Sequence, residues 1–133
     1  SKVLLIDPNR ISQSPYMTFS FRKEHGDAGI RLAQDYLESH YHETMPMDSI
    51  ADYVGMSPRH FKRRFKNATG DTPIAYLQRL RIETAKKKLE STDETIEEIT
   101  YAVGYENSNS FRRLFKQYTG LSPKSYRQKF CMW

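Results

Sequence analysis

The sequence predicts an all-α fold in which two helix-turn-helix subdomains are joined by a long linker helix. From Asp27 onward, apolar residues recur with the spacing of amphipathic helices. The stretch "HFKRRFKNATGDTPIAYL" at residues 60–77 is nearly repeated as "SFRRLFKQYTGLSPKSYR" at residues 110–127. Both copies carry a helix cap, a glycine and a proline at matching places. Two copies are too few for a solenoid, so the pattern indicates a duplicated subdomain.

The start of the chain does not share this pattern. It contains an isolated strand-like "KVLLI" and two prolines, without a sustained helical period. A lone strand is only marginally stable in water. We therefore predict that residues 1–26 are a linker, the stub of a missing N-terminal domain, with no packed structure of their own.

The first helix is predicted to run from near Asp27 to near His40. Its apolar stripe follows the helical period and consists of Ile30, Ala33, Leu37 and Tyr41. After it, each copy of the repeat contains a helix, a tight turn with glycine and a second helix. This order is the helix-turn-helix pattern.

Capping signals place the boundaries of these helices. Thr95 and Glu98 form a capping box at the first helix of the second copy. Gly55 and Gly104 suit the left-handed conformation at a helix end. Ser57 and Asn107 are predicted to cap the second helices, and Pro58 suits the first turn of the earlier one. The second copy has one extra residue, Glu106, in the turn before its second helix. The predicted division is residues 27–70 (first unit), 71–91 (linker helix), 92–130 (second unit) and 131–133 (tail).

The outer faces of the two second helices have the chemistry of nucleic-acid readers. The inward stripes are Phe61, Phe65 and Ala68, then Phe111, Leu114, Phe115 and Tyr118. The outer rows contain no acidic residue and consist of Arg59, Lys62, Arg63 and Lys66, then Asn109, Arg112, Arg113 and Lys116. Arginine can donate two hydrogen bonds to guanine, asparagine can do the same with adenine, and lysine neutralises phosphate. The helix N-termini at Ser57 and Asn107 add candidate phosphate contacts.

The linker helix is predicted to have roughly 17 residues, or about 25 Å. Its apolar positions are Ile74, Leu77, Leu80 or Arg81, and Leu89. A connector of this length can hold two reading helices in successive major grooves of double-stranded DNA, about 34 Å apart. Three lysines, Lys86, Lys87 and Lys88, are either phosphate contacts or a solvated flank.

Composition excludes several classes of protein. A chain of 133 residues has room for one domain or two very small ones. The net charge of +5 suits an anionic partner. The single Cys131 fits a reducing compartment, and no apolar run or signal peptide indicates a membrane partner. We expect a soluble, cytoplasmic protein associated with the nucleoid.

The inventory of reactive residues favours binding over catalysis. The four histidines, His25, His40, His42 and His60, form no HExxH motif. Phosphate-binding loops, nucleophile elbows and Cys/His constellations are also missing from the sequence. We therefore predict no catalytic residue, no metal and no cofactor. One alternative is a basic helical module that binds a protein without reading bases. A second alternative, an RNA binder, has less support, because readers of single-stranded RNA expose aromatic rings for stacking and the aromatic residues here are predicted to face inward.

Residues 27–130 resemble the two-unit DNA-binding domain of AraC/XylS-type transcription regulators. The stretch "IEEITYAVGYENSNSFRRLFKQYTGLSPKSYR" is similar to the family signature almost throughout, and "YLQRLRIETAKKKL" is similar to the linker helix. The resemblance implies seven helices, with recognition helices at residues 58–68 and 108–118. It also implies sequence-specific binding to a bipartite promoter site by an activator or a repressor.

The resemblance implies individual site residues. Base contacts are expected from Arg59, Lys62, Arg63, Ser108, Asn109, Arg112 and Arg113. Phosphate contacts are expected from Ser57, Lys66, Asn107 and Lys116. Arg64 departs from the pattern, because the second copy has Leu114 there. We predict that the stem of Arg64 packs and that its head reaches solvent or phosphate.

The stretch "LLIDPNRISQSPYMTFSFRKEHGD" is similar to the connector of one AraC-type subgroup. Members of that subgroup carry an N-terminal amidase-like domain of the PfpI or class I glutamine-amidotransferase type. The similarity implies that an effector-sensing half precedes this chain and is absent from it. Family membership also implies RNA polymerase as a further partner.

Overall fold

The computed structural model describes residues 25–44 and 46–131, and all regular secondary structure in these ranges is α-helical. The helices are α1 (Ala28–His40), α2 (Met47–Tyr53), α3 (Pro58–Thr69), α4 (Pro73–Ser91), α5 (Ile96–Ala102), α6 (Ser108–Thr119) and α7 (Pro123–Phe130). The predicted linker at residues 1–26 lies outside the described residues except for His25 and Gly26. The tail beyond Cys131 lies outside them as well, so both assignments remain predictions.

Two hydrophobic cores follow one another along α4. The first is formed by α1, α2, α3 and the first half of α4, and its buried residues are Ile30, Ala33, Leu37, Ile50, Ala51, Phe61, Phe65, Ala68, Tyr76, Leu77 and Leu80. The second is formed by the rest of α4 with α5, α6 and α7, and its buried residues are Ile82, Ala85, Leu89, Ile99, Val103, Phe111, Phe115 and Tyr126. Leu114 and Tyr118 are half-buried against it. The long helix is therefore a wall of both cores and more than a connector.

The duplication is longer than the sequence repeat indicates. α1 and the second half of α4 occupy equivalent places in the two cores, with an offset of 52 residues. The equivalent pairs are Ile30 with Ile82, Ala33 with Ala85, and Leu37 with Leu89, and each of these residues is at most 1% exposed. Each subdomain thus has four helical segments, because α4 ends the first subdomain and begins the second.

The same aromatic trio lies at the centre of each core, Phe61, Phe65 and Tyr76 in one and Phe111, Phe115 and Tyr126 in the other. The Phe65 and Tyr76 rings are 5.2 Å apart at 82°, and the Phe115 and Tyr126 rings are 5.3 Å apart at 83°. The tyrosine hydroxyls donate to equivalent glutamates, Tyr76 to Glu38 at 3.3 Å and Tyr126 to Glu90 at 2.5 Å. Burial raises the pKa of Tyr126, and the bond to the glutamate raises it further, so this hydroxyl remains a donor.

The predicted capping box at α5 is confirmed. Thr95 Oγ1 accepts a hydrogen bond from the Glu98 amide at 3.0 Å, and Glu98 Oε1 accepts one from the Thr95 amide at 2.8 Å. The turn between α5 and α6 has one more residue than the turn between α2 and α3, as the placement of Glu106 predicts. Local signals therefore located these helix ends correctly.

The two subdomains meet where the end of α1 lies against the turn after α5. Arg81 of α4 donates to the backbone carbonyls of Tyr41 at 2.7 Å and Glu43 at 3.0 Å. Its guanidinium carbon lies 5.1 Å from the centre of the Tyr105 ring. Gly104 has a φ of 105°, and a Cβ there would lie 2.9 Å from the Tyr41 carbonyl oxygen. The turn therefore requires glycine for its backbone and for the close approach, and Arg81 fastens the subdomains together.

Three expectations about α4 need correction. The helix has 19 residues, or about 28 Å. Ile74, predicted to lie in the apolar stripe, is 53% exposed. Lys86 is only 8% exposed and pairs with Glu83 at 2.9 Å, while Lys88 Nζ lies 3.4 Å from the Glu94 carboxylate. These two lysines are engaged within the fold and are not a solvated flank.

The prediction for the head group of Arg64 is wrong, because the guanidinium of this α3 residue forms a long-range ion pair. Its Nε and Nη2 donate to the two carboxylate oxygens of Asp27 at 3.0 and 2.7 Å. Asp27 is also the N-cap of α1 and accepts from the Ile30 amide at 3.2 Å. Burial raises the pKa of the Asp27 carboxyl, but the bonds from Arg64 and Ile30 outweigh burial and hold that pKa below its usual 3.8. The pair fastens the start of α1 to the second helix of the helix-turn-helix, whereas the apolar Leu114 cannot form such a pair in the second copy.

We expect Asp27→Asn to lower the free energy of unfolding by about 1 kcal/mol near neutral pH. Asparagine keeps the capping oxygen, so the loss reports on the ion pair. The folded-state pKa lies below the unfolded-state value of 3.8, so the pair stabilises the fold above that pH and its contribution is lost as the pH falls through the folded pKa. Urea unfolding of the two proteins should differ near pH 7, and the difference should shrink as the pH falls below 3.8 toward the lowered pKa of folded Asp27.

The matched variant is Arg64→Leu, which introduces the residue of the second copy. Adding Asp27→Asn to that variant should have no further effect on stability near neutral pH, because the ion pair is already absent. A difference between wild type and Asp27→Asn that does not shrink as the pH falls below 3.8 would instead assign the effect to weaker capping.

Candidate nucleic-acid interface

The outer face of α3 consists of exposed cations. The helix begins at Pro58, and Ser57 caps it by accepting a hydrogen bond from the His60 amide at 3.2 Å. Phe61 and Phe65 anchor its inner side, where they are 2% and 0% exposed. The opposite side exposes the predicted outer row of the first copy, Arg59, Lys62, Arg63 and Lys66.

The outer face of α6 repeats this arrangement. Asn107 caps the helix through Oδ1, which accepts from the Asn109 amide at 2.7 Å and the Ser110 amide at 3.1 Å. The exposed side carries the predicted residues Asn109, Arg112, Arg113 and Lys116. Ser108 differs from them because it is half-buried, and its hydroxyl lies 3.4 Å from Arg112 Nη1.

The charges of the two faces are not neutralised by the described part of the chain. In residues 25–44 and 46–131, the cations of these faces have no carboxylate within 4.0 Å. Arg64, Arg79, Lys86 and Lys88, on other surfaces, do have such partners. The charge on α3 and α6 is therefore available to a polyanion, as phosphate binding requires.

Capping limits what the two helix N-termini can offer to a phosphate. The Ser57 and Asn107 side chains already accept from the amides of their own helices, those of His60, Asn109 and Ser110. Pro58 has no amide hydrogen. The first amides left for an external anion are those of Arg59 in α3 and Ser108 in α6. Any phosphate contact at these caps would thus come from the backbone beside Ser57 and Asn107.

Sequence reasoning missed a contact within the interface. The Arg63 Nη2 atom lies 2.9 Å from Nδ1 of His60, which was not among the predicted site residues. A guanidinium can only donate, so Nδ1 accepts and the ring proton is on Nε2. The spacing of three residues on one helix was the available signal.

Two exposed amide side chains lie beside the last lysine of each outer row. Asn67 of α3 and Gln117 of α6 are exposed and occupy equivalent positions, 50 residues apart. Neither was among the predicted site residues. Their equivalence in the repeat was the signal that could have identified them.

Neither a metal centre nor a membrane span is found in the part of the chain that the structure describes. No group of three or more His, Cys, Asp and Glu residues there is arranged to hold a metal ion. None of its helices combines the length and the apolar character needed to cross a bilayer.

Known proteins share this arrangement. A family model described as a helix-turn-helix domain matches residues 50–129, more than half of the chain. The MmsAB operon regulatory protein of Pseudomonas aeruginosa is 39% identical over 94 residues, which cover 71% of this chain and 31% of that protein. The chain belongs to the AraC-type helix-turn-helix family. It spans about a third of the length of the MmsAB operon regulatory protein.

Solved structures share the AraC-type fold. The C-terminal domain of AraT, a response regulator from Geobacillus stearothermophilus, is 30% identical with a TM-score of 0.77, covering 80% of this chain and 89% of that one. The DNA-binding domain of the global transcriptional factor AdpA, in complex with a target DNA, is 28% identical with a TM-score of 0.75, covering 78% and 94%. The resemblance to AraC-type regulators and the all-α fold predicted from the sequence are thereby confirmed.

Proposed function

We propose that this chain is the DNA-binding part of a transcription regulator and that it binds double-stranded DNA sequence-specifically. α3 and α6 act as recognition helices in adjacent major grooves of a bipartite promoter site, while α2 and α5 cross the DNA backbone. The observation that carries the proposal is the pair of equivalent, exposed rows of Arg, Lys and Asn on helix-turn-helix second helices. The AdpA domain, solved with a target DNA, supports it.

The side chains divide by chemistry into base readers and phosphate contacts. The proposed base readers are Arg59, Lys62, Arg63, Ser108, Asn109, Arg112 and Arg113. The proposed phosphate contacts are Ser57, Lys66, Asn107 and Lys116. Arginine and asparagine reach base edges with two hydrogen bonds, and the shorter Ser108 reaches them through water. The phosphate contacts fix the register of each helix and carry no sequence information.

The length of α4 supports recognition by a single chain. A helix of 19 residues extends about 28 Å, comparable to the roughly 34 Å between successive major grooves. The Arg81 bonds to the carbonyls of Tyr41 and Glu43 add a second connection between the subdomains. One chain can therefore read both blocks of a non-palindromic site.

The complete protein extends beyond this domain. Residues 1–26 connect it to an amidase-like N-terminal domain that senses an effector, followed by the first unit (27–70), the linker helix (71–91), the second unit (92–130) and a tail (131–133). At a promoter it contacts RNA polymerase as well as DNA, in the cytoplasm at the nucleoid. The short coverage of the MmsAB operon regulatory protein supports a longer parent chain.

A second candidate function is a protein-interaction module without base reading. Its support is a set of large apolar and aromatic side chains that remain more than half exposed in the folded chain. Tyr53 is 56% exposed, Tyr101 is 59% exposed and Ile74 is 53% exposed. Side chains of this kind are enriched at protein interfaces.

Selection from random duplex DNA distinguishes the two functions. The purified chain is incubated with the pool at about 0.15 M salt, and the enriched sequence is compared with a scrambled duplex of the same composition. We expect two short preferred blocks about one helical turn apart. Binding without enrichment, fading only as salt rises, would favour the protein-interaction module.

A further inference from the structure

One arginine of α3 is held in place, and its counterpart in α6 is not. Arg63 Nη2 donates to His60 Nδ1 at 2.9 Å. The equivalent residues of α6 are Arg113 and Ser110, 50 residues further along the chain. A serine hydroxyl is too short to replace the imidazole acceptor, and within the described chain Arg113 has no hydrogen bond or ion pair. The two recognition helices therefore present the equivalent guanidinium groups with different contacts, one hydrogen-bonded to a neighbouring side chain and one without such a bond within the described residues.

The second ordered arginine lies at a different position of the repeat. Arg112 Nη1 lies 3.4 Å from the Ser108 hydroxyl, a longer contact than that between Arg63 and His60. Arg112 is equivalent to Lys62, not to Arg63. Adjacent positions on a helix are separated by about 100° of rotation, so the ordered guanidinium groups of the two helices point in different directions.

A side chain that is held in its binding conformation beforehand loses less conformational entropy when it binds. A free arginine loses rotamer freedom when it reaches a base edge, and this loss weakens the contact. The His60 bond uses one of the five N–H donors of the Arg63 guanidinium, so two parallel donors remain for guanine O6 and N7. Arg63 is exposed and His60 is half-buried beside it, on the side of α3 where a DNA duplex would approach.

We propose that His60 is a positioning residue that holds Arg63 in its base-reading conformation. The base pair that faces Arg63 is consequently read more strictly than the base pair that faces Arg113. The two blocks of the target site therefore differ in how strictly this position is read, although the two subdomains share one architecture. This inference rests on the proposed function, since it names the specificity of the same two recognition helices.

The experiment compares four proteins on the selected duplex. They are the wild type, His60→Ala, His60→Asn and the matched control Ser110→Ala, which changes the equivalent position of α6. The base pair read by Arg63 is first identified as the one whose preference disappears in Arg63→Ala. The dissociation constant is then measured for the cognate duplex and for the three substitutions at that base pair, with a scrambled duplex in parallel.

We expect His60→Ala to reduce discrimination at the Arg63 base pair by about 2- to 10-fold, with unchanged affinity for the scrambled duplex. His60→Asn should restore discrimination, because asparagine Oδ1 branches from the side chain at the same place as histidine Nδ1. Ser110→Ala should leave discrimination at the Arg113 base pair unchanged. The wild type should discriminate more strongly at the first of these base pairs than at the second.

Two results would overturn the inference while the proposed function stands. Full discrimination by His60→Ala would show that Arg63 needs no positioning. An equal loss on cognate and scrambled duplexes would make His60 a phosphate contact. If the wild type itself discriminates at no base pair, the proposed function fails and this inference fails with it.

Discussion

Phe65→Ala and Phe115→Ala are each expected to lower the free energy of unfolding by about 3 to 5 kcal/mol. Both rings are 0% exposed. Each lies between the preceding phenylalanine and the buried tyrosine of its core, with ring centres 5.2 to 5.7 Å apart. Truncation therefore leaves a cavity that tightly packed neighbours fill poorly. A loss of this size is a large part of the roughly 5 to 15 kcal/mol that stabilises a typical domain.

Chemical unfolding followed by circular dichroism measures the loss, and hydrogen exchange locates it. For Phe65→Ala we expect faster exchange in α1, α2 and α3, with the amides of α5 to α7 less affected because their core is intact. Lys66→Ala and Lys116→Ala are the controls, since each changes the exposed residue next to the phenylalanine. Unchanged stability of Phe65→Ala and Phe115→Ala would contradict the assignment of the inner faces.

Arg63→Ala or Arg113→Ala is expected to weaken binding to the cognate duplex by about 1 to 3 kcal/mol and to relax the preference at one base pair. Both side chains are exposed on the outer faces, so their removal leaves the cores intact. The loss should be largest on the cognate sequence, because two hydrogen bonds to guanine are available only there. Affinities for duplexes with single substitutions, measured at one salt concentration, show the pattern.

Arg31→Ala is the control for charge alone. Arg31 is an exposed cation on α1, outside the outer faces of α3 and α6. Its removal should change binding little and equally on all sequences. If Arg63→Ala or Arg113→Ala also loses affinity equally on every duplex, that arginine contacts phosphate and does not read a base.

Local patterns in the sequence predicted most of the helix boundaries and the inner faces. The capping box of Thr95 and Glu98 depends on neighbours three residues apart, and the buried Phe61 and Phe65 follow the period of one helix. Such features are visible without tertiary structure. The exposure of the predicted basic and polar rows on α3 and α6 follows from the same periodicity.

Features that depend on distant partners were not predicted. Arg64 pairs with Asp27, which precedes it by 37 residues in the sequence. Lys86 is buried because its own helix is a wall of the second core. Ile74 has the spacing of a core residue, yet it lies on the open side of α4. The equivalence of α1 with the end of α4 was hidden because its offset differs from that of the main repeat. Helical period alone does not specify which neighbours surround a residue.

The junction at Arg81 gives the domain a property that neither subdomain has alone. Because Arg81 ties Tyr41 and Glu43 to α4, and Gly104 allows the close approach, the two proposed recognition helices are connected as one unit with two DNA-binding faces. Once one helix is bound in the major groove, the other is held near its own half of the target site at a high effective concentration. This can raise the affinity for DNA by about 10² to 10⁴ without any new contact. This avidity is lost when the blocks are out of phase on the duplex. On the proposed function, the domain measures the distance between two short sequences as well as reading them.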